Sequence, residues 1–199
     1  SKLLCFEPVD IQEFFHLYNL HLSKAEAEWL YKVSEGWISV IYLNLLEYME
    51  SGFLPGSISI GEMVHRIIYE PLSSEQKDLL SCLCVVDQFS LEQASFLWRG
   101  RDATEVLKYL LKRNAFLTFD NISGYYRMHN IFLSCVRKEF ELLPPKEKDS
   151  RYSQAGKWFF NNQEYLLAME HFYNAHDYEG LMQAIEADRC ASVDSGNKD

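Results

Sequence analysis

The sequence predicts a mainly α-helical protein with a small β-hairpin: a helical bundle, then a winged helix, then the start of a TPR-like helical-repeat arm. Three observations carry this reading. Apolar residues recur at helical spacing behind repeated cap signals through most of the chain. Three helices, the first over 75–86, lead into one short hairpin, the order of a winged helix. Paired helices with alanine at close-contact positions follow from Tyr152 onward.

The elements follow in order. Leu3 to Phe6 reads as a short strand or entry segment, ended by Pro8. Asp10 is the predicted N-cap of a helix whose apolar face is Ile11, Phe14, Phe15 and Tyr18. Ser23 and Glu26 have capping-box spacing, and their helix carries Ala27, Trp29, Leu30 and Val33 before Gly36 stops it. A third helix runs from Trp37 to Met49, with Val40, Ile41, Leu43, Leu46 and Tyr48 inward. Ser51-Gly52 closes it, and Pro55-Gly56 is a turn. Ile58 to Tyr69 is a fourth helix, with Ile60, Met63, Val64, Ile67 and Ile68 inward and Glu70-Pro71 at its end.

A second cap signal, Ser73 to Gln76, opens a helix holding Leu79, Leu80, Leu83, Val85 and Val86. Ser90 caps a short helix, LEQASFLW. Arg101-Asp102 begins another, with Val106, Leu107, Leu110 and Leu111 inward before Asn114. Ala115 to Phe119 and Tyr125 to Met128 are strands around the turn Asp120 to Gly124. His129-Asn130 then opens a helix with Ile131, Phe132, Cys135, Val136 and Phe140 on one face. His129 thus sits at a strand-to-helix junction. There it has two readings: a donor to an anion at the positive end of the helix, or a residue that caps the helix or packs under the hairpin.

Pro144-Pro145 and the charged stretch Lys146 to Arg151 read as a boundary. Beyond it, Tyr152, Ala155, Trp158, Phe159 and Phe160 share one helix face, and Tyr165, Ala168, Phe172 and Tyr173 the next. Tyr178, Leu181, Met182 and Ile185 form a third. The expected domains are 1–72, 73–143 and 144–188, with 189–199 a disordered tail. One and a half repeats are too few for a stable array, so the chain reads as part of something longer.

Composition narrows function. In 199 residues, 48% hydrophobic and 15% aromatic content supports a packed core. Five cysteines (Cys5, Cys82, Cys84, Cys135, Cys190), an odd number mostly within apolar segments, read as reduced thiols of a cytoplasmic protein, with no disulfide and no metal. No stretch reads as a signal peptide or bilayer span, so no membrane partner is expected. A net charge of −10 opposes nucleic-acid binding by the chain as a whole. Residues 90–114 hold five basic side chains (Arg99, Arg101, Lys108, Lys112, Arg113) against three acidic (Glu92, Asp102, Glu105), a thin surplus for groove reading. A protein-interaction scaffold is the stronger rival reading, a direct winged-helix DNA binder the weaker. No phosphate loop, HExxH, GxSxG or GxGxxG occurs. Glu47 and Glu50 read as solvated helix-face acids, and His171 and His176 as surface or packing residues. No catalytic residue is assigned.

Several segments together resemble one family. They are Leu4-Cys5-Phe6, Glu35-Gly36-Trp37-Ile38, Arg99-Gly100-Arg101-Asp102, the run YRMHNIF from Tyr126 to Phe132, and AGKWFFNNQEYLLAMEHFYNAHDYEGLMQAIE. The resemblance is to the MalT-like branch of the LuxR-type transcriptional regulators, signal-transduction ATPases of the STAND class, over residues 3–188. It implies that the chain is the helical lid, winged helix and first arm helices of such a regulator. The phosphate loop, magnesium ligands and DNA-binding helix-turn-helix would lie elsewhere in the parent protein.

By that resemblance the parent is a slow, switch-type ATPase binding ADP or ATP with magnesium, and the isolated segment needs no cofactor and is no enzyme. Its partners would be the nucleotide-binding domain of the same chain, other copies through lid, winged helix and arm, and an inducer on the arm. His129 matches the winged-helix histidine that contacts the β-phosphate of ADP. Arg127 and Asn130 flank it, with Asn130 where related proteins have Asp. Gly36, Trp37 and Ile38 match the lid segment beside the adenine, with Ile38 where others have Pro.

Overall fold

The computed structural model describes residues 6–34, 36, 38–54, 60–112 and 116–188. The chain divides into two compact units, Ser1–Pro71 and Leu72–Asp199.

In the first unit, α1 (Pro8–His16), α2 (Lys24–Ser34) and α3 (Ile38–Ser51) enclose Ile11, Phe15, Leu30, Ile41 and Leu45, all fully buried. Helix α1 starts earlier than predicted. Pro8 takes the first turn, where a missing N–H costs nothing, so it opens the helix rather than ending what precedes it. Asp10 is the third helical residue, and its Oδ2 accepts from Glu7 N at 2.8 Å. The helix is also shorter than expected, leaving Tyr18 exposed.

The Ser23–Glu26 capping box forms as predicted: Ser23 N donates to Glu26 Oε2 at 2.7 Å and Glu26 N to Ser23 Oγ at 3.2 Å. Val33, expected inward, is exposed. Gly36 follows α2 with φ +76°. Its carbonyl accepts from Phe6 N at 2.8 Å, and a Cβ there would lie 2.5 Å from Phe6 O. Only glycine meets both the left-handed backbone and that approach.

Helix α3 buries two polar residues. Asn44 donates to Val40 O at 2.8 Å, and Glu47 pairs with Arg66. Glu47, expected on a solvated face, is therefore a buried, paired carboxylate. The predicted fourth helix is α4 (Ile60–Val64) running into a π-helical turn, His65–Tyr69, that buries Tyr69. The segments at Leu3 to Cys5 and Pro55-Gly56 lie outside the described residues.

The second unit begins with α5 (Ser74–Leu83), whose capping box joins Ser73 to Gln76. Strand β1 (Gln88–Phe89) was not predicted; two residues show no period. Helices α6 (Leu91–Leu97) and α7 (Thr104–Lys112) follow their caps, Gln93 N to Ser90 Oγ at 3.0 Å and Thr104 N to Asp102 Oδ1 at 2.9 Å. Strands β2 (Leu117–Asp120) and β3 (Tyr125–Met128) form the hairpin, in register Leu117 to Met128 and Asp120 to Tyr125. The sheet order is β1-β3-β2, all antiparallel. Tyr126 stacks on Phe89 and meets Phe119 at a tilt, with centroids 5.7 and 4.6 Å away. Arg113 to Ala115 lie outside the described residues.

Helix α8 (Asn130–Glu141) buries Phe132, Cys135, Val136 and Phe140. Helix α9 (Pro145–Asn161) begins at the second proline, so Lys146 to Arg151, read as a boundary, is helical. Helices α10 (Tyr165–Asn174) and α11 (Tyr178–Asp188) complete the unit. Phe172 of α10 fills the space above Gly156 of α9 and Gly180 of α11; a Cβ at either glycine would come within 2.7 Å of its ring. Tyr173, Tyr178 and Met182, expected inward, are exposed, and Ala184 supplies the buried contact on α11.

The arm helices are sewn to the winged helix. Gln154 donates to Phe96 O at 2.9 Å, and the two ring nitrogens of the buried His171 lie 3.0 Å from Val85 O and 2.8 Å from Leu167 O. His171 is thus a packing residue, and His176 is exposed, 3.2 Å from Asp149. Cys82, Cys84 and Cys135 are buried free thiols; Cys5, Cys190 and the tail 189–199 lie outside the described residues. Among the described residues no acidic, histidine or cysteine cluster could hold a metal, and no helix is long and apolar enough to cross a membrane.

Candidate functional site

The junction after β3 is built from two backbone bonds and one side-chain cap. His129 N donates to Phe116 O at 2.6 Å, continuing the hairpin ladder by one residue. His129 then turns extended, with φ −65° and ψ 140°, and becomes the N-cap of α8. Its carbonyl accepts from Leu133 N at 2.8 Å, and its Nδ1 accepts from Ile131 N at 3.4 Å. The ring meets Phe116 edge-on, centroids 5.8 Å apart.

Two chemical consequences follow. Burial of the half-exposed imidazole pushes its pKa below the ordinary 6.5, so it is neutral at pH 7. An Nδ1 that accepts an amide proton leaves the ring hydrogen on Nε2. The junction therefore holds a neutral imidazole with its hydrogen on Nε2, at the positive end of a twelve-residue helix. The capping reading is the one this geometry shows, through Nδ1.

The other expected residues are placed differently. Asn130, the first residue of α8, is exposed. Arg127 is exposed on β3 and donates from Nη2 to Gln88 Oε1 at 3.1 Å, which holds it toward β1. Gly36 and Ile38 belong to the first unit, where Gly36 is buried and Ile38 is the half-buried first residue of α3. Trp37 lies outside the described residues.

A second polar centre had no counterpart in the sequence reading. Asp78 of α5 accepts from Trp98 Nε1 at 2.9 Å and Arg101 Nη1 at 3.2 Å through Oδ2, and from Arg151 Nη2 at 3.0 Å through Oδ1. Arg101 also stacks on Trp98 at 3.7 Å and pairs with Glu75 at 2.7 Å. Arg151 reaches Ser81 Oγ at 2.9 Å. The clustered Trp98-Arg99-Gly100-Arg101 was the available signal, but its partners on α5 and α9 are distant in sequence.

Comparison with known proteins agrees with this architecture. The family model of the MalT winged helix domain matches residues 65–148. Among solved structures, the chain is similar to a STAND (signal transduction ATPase with numerous domains) protein with a tetratricopeptide repeat sensor from Pyrococcus horikoshii. The TM-score is 0.63 at 20% identity, over 94% of this chain and 27% of that one. The chain thus spans about a quarter of the length of that protein. No curated protein matches it in sequence.

Proposed function

We propose, from the premise that this is a MalT-like STAND segment with a MalT winged helix domain at its centre, that it works as the regulatory middle of an inducer-responsive, ATP-dependent transcriptional regulator of the LuxR type. The observation that carries the proposal is the place of His129, the N-cap of α8 at the strand-to-helix junction, with its Nδ1 turned to the Ile131 amide. The ring has the chemistry to hold an anionic phosphate oxygen without adding a charge that must be desolvated.

In this reading the parent protein's nucleotide-binding domain holds ADP with magnesium, and His129 donates to its β-phosphate, keeping the winged helix docked. Gly36 to Ile38 lie on the adenine side. Inducer on the helical arm, together with ATP, releases the dock, and copies associate through lid, winged helix and arm. ATP hydrolysis, slow and switch-like, belongs to the nucleotide-binding domain, and DNA contact to a separate helix-turn-helix; this segment performs neither. The protein acts in the cytoplasm.

The test is His129→Ala in the full-length regulator. ADP should dissociate at least tenfold faster, as loss of one charge-assisted hydrogen bond predicts (about 1.4 kcal/mol or more), and activity without inducer should rise. Unchanged ADP retention would overturn the reading. Direct groove reading by α7 is the weaker alternative because Lys108 is paired with Glu105 at 2.9 Å.

A further inference from the structure

The winged helix and α9 enclose a cavity of about 480 Å³, within the range of small-molecule sites. Its walls include Asp78, Trp98, Arg99, Arg101, Ser150 and Arg151. We propose that this cavity binds a small organic oxyanion, a metabolite carrying a phosphate or a carboxylate, and that the bound ligand ties the winged helix to the arm. The proposal stands apart from the nucleotide reading at His129.

The argument starts from charge. Three guanidinium groups from two separate segments converge on one cavity in a chain of net charge −10. Two of them are already matched: Arg101 by Glu75 and Asp78, and Arg151 by Asp78 and Glu147. Arg99 is not. Among the described residues its side chain meets no carboxylate, and its Nη2 donates to the hydroxyl of Ser150 at 3.0 Å. A guanidinium has five donors, so most of its capacity remains for an anion. The Ser150 hydroxyl, which accepts from Arg99, keeps its own proton to donate to the same oxyanion.

Geometry fixes the backbone that carries this group, and Ser150 holds its tip. Arg99 is held at φ +58°, followed by Gly100 at +77°, by bonds from Arg99 N to Phe96 O at 3.0 Å and Gly100 N to Ser95 O at 2.8 Å. A non-glycine residue in the left-handed region is uncommon and needs such bonds to hold it there. Trp98, buried, with its indole N–H on Asp78 and Arg101 over its ring, makes a rigid wall, and Leu97 adds an apolar one. The site so formed offers a cationic corner and an apolar flank, the pairing a small organic anion requires.

The experiment is titration calorimetry on the 199-residue chain with inorganic phosphate and, separately, succinate, at ionic strength matched with chloride. Binding of phosphate alone assigns a phosphate-bearing ligand; binding of succinate alone, a carboxylate. Arg99→Gln should weaken the binding about tenfold, the loss of one charge-assisted contact. Ser150→Asp should abolish it by placing a tethered carboxylate on Arg99, and so decides the matter if Arg99→Gln fails to fold. Absence of binding by both anions at tens of millimolar, or binding that either folded variant leaves unchanged, overturns the proposal.

Discussion

Asp78 and Arg151 stand 73 positions apart, and Arg151 Nη2 donates to Asp78 Oδ1 at 3.0 Å, joining the first helix of the winged helix to the first helix of the arm. The side chain of Arg151 is 11% exposed and that of Asp78 42%, so the pair is partly screened by solvent. Asp78→Ala removes the acceptor for three donors at once. It should cost about 1–2 kcal/mol, less than a fully buried pair. Urea unfolding should show a lower midpoint with an unchanged slope; a shift within error would mean the three donors find water without loss.

Gly36 and Gly52 separate two costs that glycine avoids. Both have positive φ, but a Cβ at Gly52 meets open space, whereas one at Gly36 strikes the Phe6 carbonyl oxygen. Gly52→Ala should lose about 1 kcal/mol, the left-handed penalty alone. Gly36→Ala should lose clearly more, about 2–3 kcal/mol, because backbone must move. Equal losses in chemical denaturation would remove the close approach from the account.

Gly156→Ala should destabilise the second unit by about 1–3 kcal/mol, the range for overpacking. The added methyl would lie 2.6 Å from the ring of Phe172, which is 4% exposed and has nowhere to retreat. Combining it with Phe172→Leu should recover part of the loss, since the two changes share one space. Additive losses in thermal melts would argue against that contact.

The buried thiols predict an alkaline limit. Burial lifts Cys84 from 9.0 to about 12 and Cys135 from 9.0 to about 11. In the unfolded chain they ionise near 9, so above that pH the folded state binds more protons than the unfolded. The thiols' contribution to stability should be constant below pH 9 and fall as pH rises toward 11 to 12, by up to about 1.4 kcal/mol per pH unit for each thiol. Cys84 and Cys135 should also resist a thiol reagent at pH 8 until denaturant is added. Rapid labelling of both in the folded protein would contradict their burial.

Local rules were legible in the sequence, and distant pairings were not. Ser23 with Glu26, Ser73 with Gln76, and Ser90 act within one helical turn, so their spacing alone placed three helix starts. His129 was found because strand alternation stops at Met128 and helical spacing starts at Ile131. Strand β1 escaped because two residues cannot show a period. Lys146 to Arg151 looked like a linker because it is a run of charges behind two prolines, while the cue that mattered was Pro145 in the first helical turn. Glu47 looked solvated because its partner Arg66 lies beyond the end of its own helix. The Asp78 centre needs α5, the loop after α6 and α9 in one place, which only the folded chain supplies.

Phe172 has a consequence beyond stability. The ring sits where α9, α10 and α11 meet, with bare glycine backbone beneath it on two sides. Its thickness is therefore a spacer that sets the angle between successive arm helices. In a stacked array each such angle is repeated, so a small change at one spacer is multiplied along the superhelix. A slimmer or bulkier side chain at 172 would swing α11 against α9, as a shim under one leg tilts the far edge of a table.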